Sequence, residues 1–110
     1  MPVAGTVGAL RGVLGEDVAA AGGVFKATKG LADEFGPERV RDTPISEQAI
    51  LGAAMGAAMT GIPVIAEIMF SDFLAVCWDI LANEMAKTRY MTNGQVEIPV
   101  VVRTANGGGS

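Results

Sequence analysis

The sequence has no histidine and a single cysteine, Cys77. A Ser-His-Asp triad or a Cys-His pair cannot be assembled from this chain, and neither can a zinc site of the usual Cys/His types. One cysteine also excludes an internal disulfide and fits a reducing compartment. Lys and Arg number 8 against 12 Asp and Glu, a net charge of −4, and no stretch is rich in basic residues. That argues against nucleic acid as a partner, because phosphate contacts need a basic footprint. Met1 to Leu10 carry Pro2, Gly5 and Gly8 but no basic start before an apolar run, so they do not read as a secretory signal. A cytoplasmic location is the resulting expectation.

Apolar residues, by contrast, are abundant. Half of the 110 residues are hydrophobic, and the mean hydropathy is +0.39. A chain of this length makes one small domain at most. An apolar excess on a small domain points to surface meant for a partner, although alanine and glycine account for part of it. The run Ala49 to Phe70 even carries Gly52 and Gly56 at the spacing of membrane helix dimers. Glu67 lies inside that run, however, and Gly61-Ile62-Pro63 should break it. Neither half then approaches the roughly 20 residues that span a bilayer, so no membrane segment is expected.

Along the chain, helical and extended patterns alternate. Val13-Leu14 reads as a short strand closed by Gly15-Glu16-Asp17, and the adjacent acids Glu16 and Asp17 read as a solvated turn. A helix is expected near 25–35, from the spacing of Val24, Phe25, Leu31, Ala32 and Phe35. Residues 39–43 read as a strand kept extended by Pro44. A second helix near 47–60 follows, with Leu51, Met55 and Met59 on one stripe beside a smooth face of Ala49, Gly52, Ala53, Gly56 and Ala57. Pro63 to Ile68 reads as a buried parallel strand. A long helix is expected near 70–91, with a polar stripe of Asp79, Asn83 and Lys87, and residues 98–102 complete the set as another strand. Three or four mostly parallel strands flanked by helices make the fold class α/β.

The segment with chemical content is Asp42-Thr43-Pro44-Ile45-Ser46-Glu47. A strand ends, a proline stiffens the turn, and a carboxylate lands in the first turn of an apolar helix. The helix macrodipole alone would stabilise an acid there, so the pattern does not by itself assign Glu47 a chemical task.

Leu14-Gly15-Glu16-Asp17-Val18, Gly22-Gly23-Val24-Phe25-Lys26, Thr28-Lys29-Gly30-Leu31 and Phe35-Gly36-Pro37-Glu38-Arg39-Val40 occur in order. They are followed by Asp42 to Glu47, Gly56-Ala57-Ala58-Met59, Ala66-Glu67-Ile68-Met69-Phe70, Ala86-Lys87, Arg89-Tyr90-Met91 and Arg103-Thr104. With these segments the chain resembles the β subunits of thiamine-diphosphate-dependent 2-oxoacid dehydrogenases of the pyruvate, branched-chain and acetoin types. The resemblance implies a transketolase-like pyrimidine-binding domain, incomplete over 12–110, preceded by an atypical segment 1–11. It implies that Glu47 hydrogen-bonds the cofactor's pyrimidine nitrogen and so promotes removal of a proton from the thiazolium carbon. A glutamate among apolar residues suits that task, because burial raises its pKa.

The resemblance also places Ile45, Met69 and Phe73 on the walls of the pyrimidine pocket. Magnesium and the diphosphate would be held by an α subunit, not by this chain, in which no Gly-Asp-Gly segment occurs. The small-residue face at Gly52, Ala53, Gly56 and Ala57 would meet that α subunit, and a lipoyl-bearing acyltransferase would receive the acyl group. An active-site histidine of such proteins would fall beyond residue 110, so activity of this chain alone is not expected. The alternative is a non-catalytic interaction module derived from such a subunit.

Overall fold

The computed structural model describes residues 11–106. The expected atypical segment 1–11, apart from Arg11, and the closing glycines therefore lie outside the described residues. The elements are β1 (Gly12–Gly15), α1 (Leu31–Phe35), β2 (Val40–Asp42), α2 (Glu47–Met59), β3 (Val64–Ile68), a 3₁₀ helix (Ser71–Cys77), a π-helical stretch (Ile80–Met85), α3 (Thr88–Met91) and β4 (Val100–Thr104). The strands form one sheet in the order β2-β1-β3-β4. Every pairing is parallel, with Val13 opposite Val40 and Ile65, and Glu67 opposite Arg103. The α/β class with a parallel sheet is thus the observed one.

Alternation along the strands sorts the core into two layers. On one face Val13, Val18, Leu31, Val40 and Ile65 pack together, with Ala32 and Phe35 at the margin. On the other, α2 lays Ile50, Leu51 and Ala54 over Val64, Ala66 and Ile68, and Cys77 seals the cluster. Leu51 and Ile68 are fully buried, and burying one such side chain contributes about 1.5–3 kcal/mol. Continuous burial of Val64 to Ile68 is what a central parallel strand covered on both faces requires.

Helix boundaries differ from the sequence expectation in physically legible ways. The helix expected near 25–35 begins only at Leu31. Gly22, Gly23, Lys26 and Gly30 all have positive φ, and left-handed residues cannot propagate a right-handed helix. The long helix expected near 70–91 keeps a helical path but changes its winding from 3₁₀ to π to α. In its middle the Ala86 N–H reaches the Leu81 carbonyl at 3.1 Å, one residue past the α spacing. The Thr88 hydroxyl donates to the Glu84 carbonyl at 2.5 Å, a side-chain competition that bends helices. The Asp79–Asn83–Lys87 stripe is realised, with bonds of 2.8 and 2.7 Å.

In α2 the buried stripe is Glu47, Ile50, Leu51, Ala54 and Ala58. Of the stripe expected around Leu51, Met55 is half-buried and Met59 exposed. The last strand begins at Val100 rather than 98, after Pro99, which has no N–H for the ladder. The apolar run from Ala49 to Phe70 resolves into α2, a turn at Gly61 with φ 90°, and β3. No helix among the described residues is long and apolar enough to cross a membrane.

Two glycines in β1 set how closely its neighbours approach. A Cβ on Gly15 would stand 2.8 Å from the Glu67 carbonyl oxygen and 3.0 Å from Glu67 Cβ. Gly15→Ala should therefore push β1 from β3 and destabilise the fold by about 1–3 kcal/mol, the range of core overpacking. Urea denaturation measures this, and an unchanged midpoint would mean that the strands separate freely.

Candidate functional site

In a parallel sheet every strand delivers its carboxyl end to the same edge. Here β1 leads into Glu16, β2 into Ile45 and Glu47, and β3 into Met69 and Phe73. The strand order also reverses between β1 and β3, because the chain passes from β1 outward to β2 and then back across to β3. Open α/β sheets bind ligands beyond the carboxyl ends of their strands at such a switch point.

Three carboxylates are buried at or near this edge: Glu16 at 8% exposure, Glu47 at 9% and Glu67 at 6%. Glu47 occupies the first turn of α2, where partial positive charge at the helix start favours an acid. Glu16 stands beside it. Burial foremost, then the Glu47 charge, a hydrogen bond with the Glu47 carboxyl and the Asp17 charge, push the Glu16 carboxyl above its ordinary value of 4.5. Two buried carboxyls side by side disfavour a second negative charge, so Glu16 is held toward its protonated form. Glu16 Oε1 is buried without a hydrogen-bond partner among the described residues.

Glu67 is handled differently. Its carboxylate forms an ion pair with the guanidinium of Arg103, its neighbour across the β3–β4 ladder. Cys77 lies buried under α2. Burial raises its thiol above the ordinary 9.0, a backbone hydrogen bond opposes the rise and the Glu47 charge adds to it, so this thiol is packing rather than a nucleophile.

The four residues expected at the site are all at the carboxyl edge but are not enclosed together. Glu47 is buried, Met69 is half-buried, Phe73 is 39% exposed and Ile45 is 82% exposed. Phe73 packs edge-on against Phe70, and Phe70 in turn against Phe25, with ring centroids 5.7 and 5.8 Å apart. Two concavities lie away from Glu47. One of about 350 Å³ runs between Arg11, Arg39, Ala53 and Ala57, and one of about 480 Å³ lies between Ala19, Lys26 and Asp33; neither contains Glu47.

On the small-residue face, Ala53 and Gly56 are exposed and Gly52 and Ala57 half-buried, and a Cβ added at Gly56 would meet nothing within 4 Å. No group of three His, Cys, Asp or Glu side chains among the described residues is arranged to hold a metal ion.

The solvated-turn reading of Glu16 and Asp17 is half right: Asp17 is exposed, whereas Glu16 is buried against Glu47. The signal was its place directly after an apolar strand, where the carboxyl edge begins. Arg103 and Glu67 had no sequence signal as a pair, because only the register brings them together.

Comparison with known proteins follows the same chain closely. The model of the transketolase pyrimidine binding domain matches residues 7–110. The 2-oxoisovalerate dehydrogenase subunit beta of Bacillus subtilis (strain 168) is 53% identical over 88% of this chain and 30% of its own length. The acetoin:2,6-dichlorophenolindophenol oxidoreductase subunit beta of the same organism is 50% identical over 88% of this chain and 32% of its own length. The pyruvate dehydrogenase E1 component subunit beta of Rickettsia conorii is 47% identical, covering 89% and 30%. The chain thus spans about a third of the length of these curated relatives.

The raised pKa of Glu16 sets a pH dependence. The folded state holds this proton to higher pH than the unfolded chain does, so Glu16 weakens the fold as pH rises through 4.5 toward its elevated pKa. Glu16→Gln should accordingly melt at a higher temperature than the parent at pH 8 and lose that advantage below pH 4.5. Scanning calorimetry at the two pH values checks the sign, and a pH-independent difference would contradict the assignment.

Proposed function

The chain belongs to the transketolase pyrimidine-binding domain family, and from that membership and the carboxyl-edge geometry we propose that it forms the pyrimidine-side half of a thiamine diphosphate site in a 2-oxoacid dehydrogenase. The observation that carries this reading is the buried Glu47 at the start of α2, with Glu16 as a second carboxyl beside it. A ring nitrogen needs a buried acid within reach, and Glu47 is buried at this edge beside Glu16, whose pKa is raised. The residues present fit a flat heterocycle and not a diphosphate. The edge offers carboxyl groups and apolar side chains, and the diphosphate and magnesium would be held by an α subunit.

When bound, the cofactor supplies a carbon nucleophile that attacks the 2-oxoacid carbonyl and accepts electrons on decarboxylation. This chain's residues prepare it. Glu47 would donate to or share a proton with the pyrimidine nitrogen, and Glu16, held toward its neutral form, would stand beside it without adding a second full negative charge. Ile45 and Met69 would give apolar contact to the ring, and Phe73 would pack against its face. The exposure of Ile45 and Phe73 suits walls completed by a partner. In the assembled enzyme a lipoyl-bearing acyltransferase would take the acyl group.

A second reading, a non-catalytic interaction module, draws on the exposed Val76, Trp78, Tyr90 and Met91, which suit association whatever Glu47 does. Substitution of Glu47 separates the two. In a complex with an α subunit, Glu47→Gln should slow hydrogen–deuterium exchange at the thiazolium carbon by about 10²–10⁴-fold at equal cofactor occupancy, the usual size of acid–base assistance. Equal exchange rates would leave Glu47 as a helix-start carboxylate and favour the interaction module.

The α-subunit contact is tested at Gly56. Since an added side chain there meets nothing within this chain, Gly56→Leu should fold normally yet fail to co-elute with the α subunit in size-exclusion chromatography. Retention of the complex would move the interface to another face.

A further inference from the structure

We propose that Asp42 is the positioning residue of the Glu16–Glu47 pair: its carboxylate pins the chain just after Glu16 by accepting hydrogen bonds from two successive backbone N–H groups. Those groups are Ala19 N–H, 2.7 Å from Oδ1, and Ala20 N–H, 3.2 Å from Oδ2. Its catalytic meaning rests on the cofactor reading above, but the arrangement needs no cofactor.

Glu16 sits on a loop with little regular structure of its own. Asp17, next to it, has φ 55°, and Gly22 and Gly23 are also left-handed. A non-glycine residue persists in that region only where its surroundings over-determine it. Two of the tethers are backbone bonds: Thr43 N–H to the Gly15 carbonyl at 2.9 Å, and Gly23 N–H to the Asp17 carbonyl at 2.7 Å. Asp42 adds a side-chain tether, reaching Ala19 and Ala20 with both carboxylate oxygens. Charge-assisted bonds of this kind are stronger than neutral ones.

The placement is economical. Asp42 lies opposite Gly15 in the β1–β2 register and precedes Glu47 by one tight turn. One segment, Asp42 to Glu47, therefore carries one carboxyl of the pair and clamps the loop bearing the other. The charged groups raising the Glu16 pKa are Glu47 and Asp17, and Asp42 reaches the loop through its hydrogen bonds to Ala19 and Ala20.

The test is carboxyl ¹³C NMR titration of Glu16 in the full 110-residue chain, comparing the parent with Asp42→Ala and Asp42→Asn. Asp42 is exposed, so alanine leaves no cavity. The Glu16 midpoint should fall toward its ordinary value in Asp42→Ala while the amide shifts of Glu67 and Arg103 stay in place. Asp42→Asn, which keeps one acceptor oxygen, should fall between. An unchanged Glu16 midpoint in Asp42→Ala overturns the proposal, as does a fall accompanied by general movement of the β3–β4 amides. Should Asp42→Ala lose its dispersed amide spectrum, Asp42→Asn decides, a partial fall supporting the clamp and a parental midpoint overturning it. Failure of the cofactor reading would show instead as unchanged thiazolium exchange in Glu47→Gln, with the titration result intact.

Discussion

Burying a carboxylate costs several kcal/mol unless a counter-charge, hydrogen bonds or a proton offsets it, and this small domain buries Glu16, Glu47 and Glu67 within one region. Each is accommodated by a different means. Glu67 has the guanidinium of Arg103 beside it, Glu47 lies in the first turn of a 13-residue helix, and Glu16 shifts toward its protonated form. The three solutions are not interchangeable. An ion pair fixes charge, a helix start tolerates charge, and burial in contact with Glu47 favours the neutral form of Glu16.

That contact exists because the sheet is parallel. Strands running the same way gather their carboxyl ends, and the order β2-β1-β3-β4 puts the loop after β1 between those after β2 and β3. Gly12 and Gly15 let the backbones come close, since a Cβ at either would stand within 3 Å of a neighbouring carbonyl oxygen. Glu67 is drawn in by the same closeness, and its own carbonyl is what a side chain at position 15 would strike. The core clusters on the two faces hold the strands, and the loops inherit their positions from those strands.

Much of this was legible in the sequence where one residue type or one period dominates. The apolar run at Val64 to Ile68 and the Pro44–Glu47 turn into α2 could be read directly, because central parallel strands and helix starts have local signatures. The loop at 22–30 could not. Its apolar spacing imitates a helix, and only the left-handed Lys26 and Gly30 show why the helix waits for Leu31. The change of winding between Ser71 and Met91 was equally hidden, since side-chain periods near 3.6 barely distinguish 3₁₀, α and π geometry over a few turns. At the candidate site Ile45, Glu47, Met69 and Phe73 were named by the family resemblance, and the strand order sets them at one edge. The burial of Glu16 had a faint signal in its place directly after an apolar strand, whereas the Arg103 partner of Glu67 depended on long-range register, which no local pattern encodes.

The same register explains the apolar excess. Two layers of core absorb residues such as Leu51, Ile65 and Val40, yet Ile45, Phe73, Trp78 and Tyr90 remain outside them. Were these ordinary surface residues they would be scattered singly. Instead Ile45 and Phe73 stand at the edge that carries the carboxyl pair, and α2 leaves Ala53 and Gly56 exposed, with open space around Gly56. On the proposed reading these are one feature. Glu47 is itself buried, whereas Ile45 and Phe73 beside it are open to solvent, so an apolar partner approaching this edge would cover those two side chains and complete the exclusion of water from the carboxyl pair.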